Sequence, residues 1–168
     1  MTAPPLTPLA TAALHVGRPE RILQVQCGEG DGALFLAREF PSARVRGVDS
    51  SVVSVRAAAA RIGLDPEGRV AFKVGGPRPL PFPDDQFDLV AVLDEAVPVA
   101  EVARVLRPGG HLIRAYTERA GAPRGLRDWY LCRRLARRGI EPVRQDEAGA
   151  GSFSVARLRG GGAAPRPD

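Results

Sequence analysis

Apolar runs of strand length alternate with stretches of helical spacing along almost the whole chain, which is the pattern of an α/β domain built on a mostly parallel sheet. The pattern predicts strands near 21–26, 44–49, 69–74, 87–93, 110–116, 140–145 and 152–158. Helices are expected near 6–15, 32–40, 51–62, 98–106 and 126–138. The third strand, "RVAFKV", alternates Val70, Phe72 and Val74 with Arg69, Ala71 and Lys73, so one face alone is strongly apolar and an edge position suits it. Pro142 cannot donate a ladder hydrogen bond, which puts the sixth strand on an edge as well. In the last helix Leu131, Cys132, Leu135 and Ala136 form an apolar stripe, Arg133, Arg134, Arg137 and Arg138 a solvated face, and Gly139 a stop.

At 168 residues the chain suits one domain, expected over 1–159, with "GGGAAPRPD" (160–168) as a disordered tail. A proline-rich loop, "GGPRPLPFPDD", precedes the fourth strand. No apolar run reaches the length of a membrane span, and the two cysteines, Cys27 and Cys132, form neither a metal-ligand spacing nor a disulfide framework. A cytoplasmic protein with no metal and no membrane association is the expectation. The formal charge of +5 raises a nucleic-acid partner. Lys73 is the only lysine among 24 basic residues, however, so a compositional bias towards arginine is the stronger account. One region is denser: Arg104 to Arg138 holds ten arginines against Glu118 and Asp128, which keeps a polyanionic substrate open as the minor alternative.

The chemistry concentrates in "ILQVQCGEGDG", where glycines follow a predicted strand and precede a predicted helix. Such a loop lets backbone approach a ligand closely and turns a helix N-terminus towards something polar. Asp49 lies 21 residues beyond Gly28, at the end of the second strand. That is the distance at which a doubly wound sheet sets an acid against the hydroxyls of a ribose. A helix cap by Asp49, Ser50 or Ser51 is the plainer alternative for the same residues. Loop and acid together favour a cofactor that contains a nucleoside.

Four segments resemble the class I S-adenosylmethionine-dependent methyltransferases, in particular the methyltransferase type 11 group: "ILQVQCGEGDG", "VRGVDSS", "LPFPDDQFDLVAVLDEA" and "EVARVLRPGGHLI". The likeness covers about residues 20–159. It implies a Rossmann-like, doubly wound, seven-stranded sheet of order 3-2-1-4-5-7-6 with the last strand antiparallel, and so agrees with the edge positions read from Lys73 and Pro142. It further implies S-adenosyl-L-methionine as cofactor, bound by Gln26, Cys27, Gly28, Gly30, Asp49, Ser50, Gly76 and Leu93, and methyl transfer to a small-molecule acceptor.

The chain departs from the family's pattern at three places. Gln24 stands where the family commonly has an acid, Gln26 where it has glycine, and Gly76 where an aspartate reads the adenine amino group. An amide keeps hydrogen-bonding capacity but loses attraction for a cationic ligand, and a side chain at Gln26 adds bulk and strain in the loop. The alternative function is therefore a methyltransferase-like binding or partner subunit with a weakened loop. Candidate bases lie at the carboxyl ends of the strands: Asp94 and Glu95 after strand four, and Tyr116 at the end of strand five. His111 begins strand five, at the opposite edge of the sheet. His15, on the first helix, could overhang the site, although solvation is the simpler reading, and Cys27 reads as a packing residue. With only about twenty residues ahead of strand one, the acceptor side is expected to be open and completed by a second copy, a partner chain or a large substrate.

Overall fold

The computed structural model describes residues 6–160, so the tail expected over 160–168 lies, from residue 161 on, outside the described residues. Seven strands form one sheet in the order β3-β2-β1-β4-β5-β7-β6. They are β1 (Arg21–Val25), β2 (Arg44–Asp49), β3 (Val70–Val74), β4 (Phe87–Leu93), β5 (Leu106–Tyr116), β6 (Ile140–Ala148) and β7 (Gly151–Leu158). The first five run parallel, whereas β7 is antiparallel to both β5 and β6. The helices are α1 (Thr7–Ala13), α2 (Asp31–Glu39), α3 (Val52–Ala60), α4 (Val99–Val105) and α5 (Leu126–Arg137). Among the described residues no helix is long and apolar enough to cross a membrane.

Each central strand is buried on both faces, as parallel strands between helical layers must be. On one face Ile22, Val45, Leu89, Ala91, Ile113 and Phe153 pack against α1 and α2 through Leu9, Ala12, Leu34 and Leu36. The opposite face sets Leu23, Val25, Val48, Val90, Val92 and Leu112 against Val102 and Val105 of α4, Leu135 of α5 and Leu80 of the proline-rich loop. Both expected edges, β3 and β6, are edges. The β6–β7 register shifts between Pro142 and Arg144, where proline interrupts the ladder.

The start of β5, the end of β6, at Ala148 instead of near 145, and the buried face of α5 differ from the sequence reading. Strand β5 begins at Leu106 rather than near 110, because "LRPGG" turns tightly within the strand: Gly109 has φ +83°, and the pairing with β4 shifts between Phe87 and Leu89. A Cβ on Gly110 would lie 2.9 Å from the Arg107 carbonyl oxygen, so only glycine fits there. On α5, Leu135 is buried as expected, but Leu131 and Cys132 are half-buried and Ala136 is exposed. The helix is held partly by polar contact. Arg114 of β5, 5% exposed, donates to Ser154 Oγ at 2.7 Å and to Asp128 Oδ1 at 3.2 Å.

A second polar anchor fixes the proline-rich loop. Arg104 on α4 binds Glu101 through both oxygens at 3.0 and 2.7 Å. It also donates to the carbonyl oxygens of Phe82 and Leu80 and to Asp84. Glu101 in turn accepts from the Leu80 amide at 2.7 Å. The Arg104 guanidinium, ahead of the Leu80 amide, holds the Glu101 carboxyl below its ordinary range. A carboxyl whose folded pKa is depressed adds stability that is complete above its unfolded pKa and lost as pH falls through the folded value. Glu101→Gln should cost about 1–2 kcal/mol at neutral pH, the scale of a lost charge-assisted hydrogen bond. The gap to the wild type should close as pH drops below about 4.5, measured by urea unfolding at several pH values. A gap that stays constant with pH would show that the charge of Glu101 is not what anchors the loop.

Candidate functional site

The β1–α2 loop is shaped by backbone conformation and by packing beneath it. Gln26 and Gly28 have φ +52° and Gly30 has φ +87°, all in the left-handed region. A Cβ on Gly28 would meet nothing within 4 Å, so this residue borders open space, as a backbone approached by a ligand should. Gly30 answers to a different constraint. Its Cβ would lie 2.8 Å from the Phe72 ring, so the absence of a side chain lets β3 pack under the loop. Cys27 is turned inward beside Gly47 and Phe72, and burial first, then the Asp49 carboxylate, pushes its thiol up to about 12. It is an inert packing residue.

Asp49 ends β2 beside this loop. Its Oδ2 accepts from the Gly28 amide at 2.9 Å and its Oδ1 from the Ser51 amide at 2.8 Å. Ser51, not Asp49, caps α3, with its Oγ accepting from Ser54 at 3.2 Å. A carboxylate has about four acceptor positions, so the two amides fix its orientation and leave capacity for hydroxyl donors. Ser50 is exposed next to it, and Leu93 is half-buried at the end of β4. Gly76 is roomy: an added Cβ would have only the Arg78 nitrogen nearby, at 4.0 Å.

The two glutamines differ in consequence. Gln24 is 2% exposed, its Oε1 has no hydrogen-bond partner, and a Cβ on Gly32 would come within 2.6 Å of its amide. It is a neutral group wedged beneath the first turn of α2. Gln26 points the other way, donating from Nε2 to Glu95 Oε2 at 3.1 Å and so bridging the loop to the end of β4.

The residues suggested as bases sort by their partners. Asp94, at φ +56°, spends both oxygens on Thr117, accepting from its amide at 2.7 Å and its hydroxyl at 2.8 Å. It ties β4 to the segment after β5. Glu95 is exposed, and its Oε1 has no partner among the described residues. Tyr116 is buried, and burial is the main reason its phenol is held above the ordinary value, so it stays protonated at neutral pH. All three line one cleft of about 660 Å3 beyond the ends of β4 and β5. Sequence reasoning missed part of its wall: Arg78 from the proline-rich loop, and Arg127, Leu131 and Arg134 from α5. His111 pairs with Leu89 near the start of β4, away from this end. His15 is half-buried and stacks on Phe153 with centroids 5.9 Å apart, so it does not overhang the cleft.

Sheet order, glycine loop and strand-end acid define a Rossmann-like, class I methyltransferase fold. The description "Methyltransferase domain" fits residues 22–110, more than half of the chain, and the chain belongs to that family. S-adenosyl-L-methionine is the family's cofactor, and the open backbone at Gly28 beside an oriented Asp49 fits it. Over 116 residues the chain is 36% identical to the fatty-acid O-methyltransferase of Mycolicibacterium smegmatis, which covers 65% of this chain and 40% of that protein. It is 30% identical over 131 residues to the demethylmenaquinone methyltransferase of Lactiplantibacillus plantarum, covering 71% of this chain and 55% of that one. The chain thus spans about two fifths to just over half the length of these relatives. Among solved structures, a SAM-dependent methyltransferase from Aquifex aeolicus superposes with a TM-score of 0.74 at 19% identity, covering 91% of this chain and 90% of that one.

The left-handed conformation of Gln26 generates a test. A non-glycine residue there costs about 1 kcal/mol, and water competes for both partners of the exposed bond to Glu95, which holds even exposed ion pairs to less than about 1 kcal/mol. Gln26→Gly is expected to raise the melting temperature by about 1–2 °C, because the lost bond to Glu95 offsets part of that cost. A lower melting temperature would mean that the bridge to Glu95 outweighs the strain.

Proposed function

We propose that the chain transfers a methyl group from S-adenosyl-L-methionine to a small-molecule acceptor that enters the cleft beyond β4 and β5. The observation that carries this reading is Asp49, oriented by the Gly28 and Ser51 amides beside the open backbone of Gly28. In this reading Asp49 and Ser50 receive the ribose, and Gln26, Gly28, Leu93 and Gly76 border the rest of the cofactor. Cys27 and Gly30 serve by shaping the loop. The bound cofactor supplies an activated methyl group on sulfur, and alignment of acceptor with donor does most of the remaining work. Glu95, with one oxygen uncommitted, is the best placed of the three candidates to take a proton from the acceptor. Asp94 is a positioning residue, and Tyr116 offers a hydroxyl donor.

The relatives named for fatty-acid and demethylmenaquinone methylation support a small-molecule acceptor rather than a nucleic acid. Helix α1 packs its Leu9 and Ala12 into the core and, among the described residues, contributes nothing to the cleft lining, which supports a site completed by a second copy, a partner chain or the substrate itself. A second reading, a binding or partner subunit without methyl transfer, is favoured by one observation. The buried, uncharged Gln24 with its unpartnered oxygen leaves no acid under the loop to attract a cationic ligand.

Calorimetry with S-adenosyl-L-homocysteine separates the two. Binding is expected, and Asp49→Ala should weaken it by about 1–3 kcal/mol, the scale of charge-assisted hydrogen bonds. Absence of binding at millimolar ligand would favour the non-catalytic reading. Gly76→Asp should fold normally, given the space at that position, and should tighten binding by about tenfold if residue 76 borders the adenine. Unchanged affinity in the folded variant would remove Gly76 from the site.

A further inference from the structure

The wall of the acceptor cleft carries four arginines, Arg78, Arg124, Arg127 and Arg134, against two carboxylates, Asp94 and Glu95. Its opposing charge is already partly committed. Asp94 gives both oxygens to Thr117, and Glu95 accepts from Gln26. Arg78, Arg127 and Arg134, by contrast, have no carboxylate partner among the described residues. Asp128, the acid on the same helix, is taken by the buried Arg114.

The arginines also come from fixed positions. Arg127, Leu131 and Arg134 fall at helical i, i+4 and i+7 spacing, so one face of α5 turns two guanidinium groups and an apolar side chain towards the cleft. This departs from the sequence expectation, which put Arg134 on the solvated face. It is half-buried, with its guanidinium 6.0 Å from the centre of the Tyr130 ring, a stack that leaves its N–H groups free to donate. Arg78 comes from the opposite side, in the loop that Arg104 and Glu101 hold against α4. Val97 and Leu131 add apolar lining to the same cleft.

From this convergence we propose that the cleft binds an anionic small molecule, with a carboxylate or phosphate set between Arg78, Arg127 and Arg134 and an apolar body against Val97 and Leu131. The inference rests on the reading of this cleft as the acceptor site and names the acceptor's chemical class. Guanidinium groups suit both anions because their planar fork of donors matches paired oxygens. They offer a neutral acceptor nothing comparable.

The test uses the full chain saturated with S-adenosyl-L-homocysteine and three probes with the same alkyl chain: hexanoate, hexyl phosphate and hexan-1-ol. Calorimetry or chemical-shift titration should show at least one anion binding about tenfold or more tightly than the alcohol, and the tighter anion identifies the group recognised. That preference should shrink as salt is raised and vanish in Arg127→Gln/Arg134→Gln. It should persist in Arg137→Gln/Arg138→Gln, which removes the same charge from the same helix outside the cleft. If the first double variant does not fold, the salt dependence and the more conservative Arg134→Lys, expected to weaken anion binding severalfold, decide the matter. Equal binding of anions and alcohol would overturn the proposal. So would equal loss in the two double variants, because the effect would then be general surface charge. Failure to bind S-adenosyl-L-homocysteine with the anion preference intact would remove the methyl-transfer reading and leave the anion site standing.

Discussion

The two amide hydrogen bonds that Asp49 accepts, from Gly28 and Ser51, are the constraint on which the site depends. They join three elements at one point: the loop leaving β1, the end of β2 and the start of α3. Backbone N–H groups at such a junction need partners, and a carboxylate is the one side chain that can accept both and retain acceptor capacity. The same bonds set the loop's height above the sheet. Glycine is then required at Gly30, where Phe72 fills the space below, whereas Gly28, at φ +52°, leaves the space above open.

Around this junction the fold positions the proline-rich loop and α5 largely through charge. The proline-rich loop offers little continuous apolar surface beyond Leu80 and Phe82, and Arg104 binds three of its groups while gripping Glu101 on its own helix. Helix α5 buries only Leu135 fully, and the Arg114–Asp128 pair supplements that contact. Burying one guanidinium is unfavourable unless its donors are satisfied, and Ser154 and Asp128 do this. The two anchored segments face each other across the cleft, so its shape is set by ion pairs lying behind its walls.

The loop departures have unequal weight once placed. Gln24 is sealed beneath Gly32 and leaves the space under the loop without a charge. Gln26 accepts backbone strain and in exchange reaches Glu95, joining the loop to the end of β4. Gly76 removes a side chain and leaves room.

The sheet was legible in the sequence because each strand and helix carries its own periodicity, and because local features such as Pro142 on β6 and the one-sided β3 identify edges without reference to the rest of the fold. The glycine loop and Asp49 were legible for a related reason: their spacing in the chain is fixed by one βαβ unit. Properties that depend on distant segments were not. Arg78 is separated from Arg127 and Arg134 by some fifty residues of chain, and no periodicity relates a loop after β3 to a face of α5. The stripe read along α5 misplaced Ala136 and Arg134 because spacing gives a helix's faces but not which one meets the sheet. His15 likewise resolved only when Phe153, far along the chain, came beneath it. Local conformational preference and short-range spacing thus determined the elements and the glycine loop. Close packing between segments remote in sequence decided which charges face the cleft, since that depends on where each helix comes to rest on the sheet.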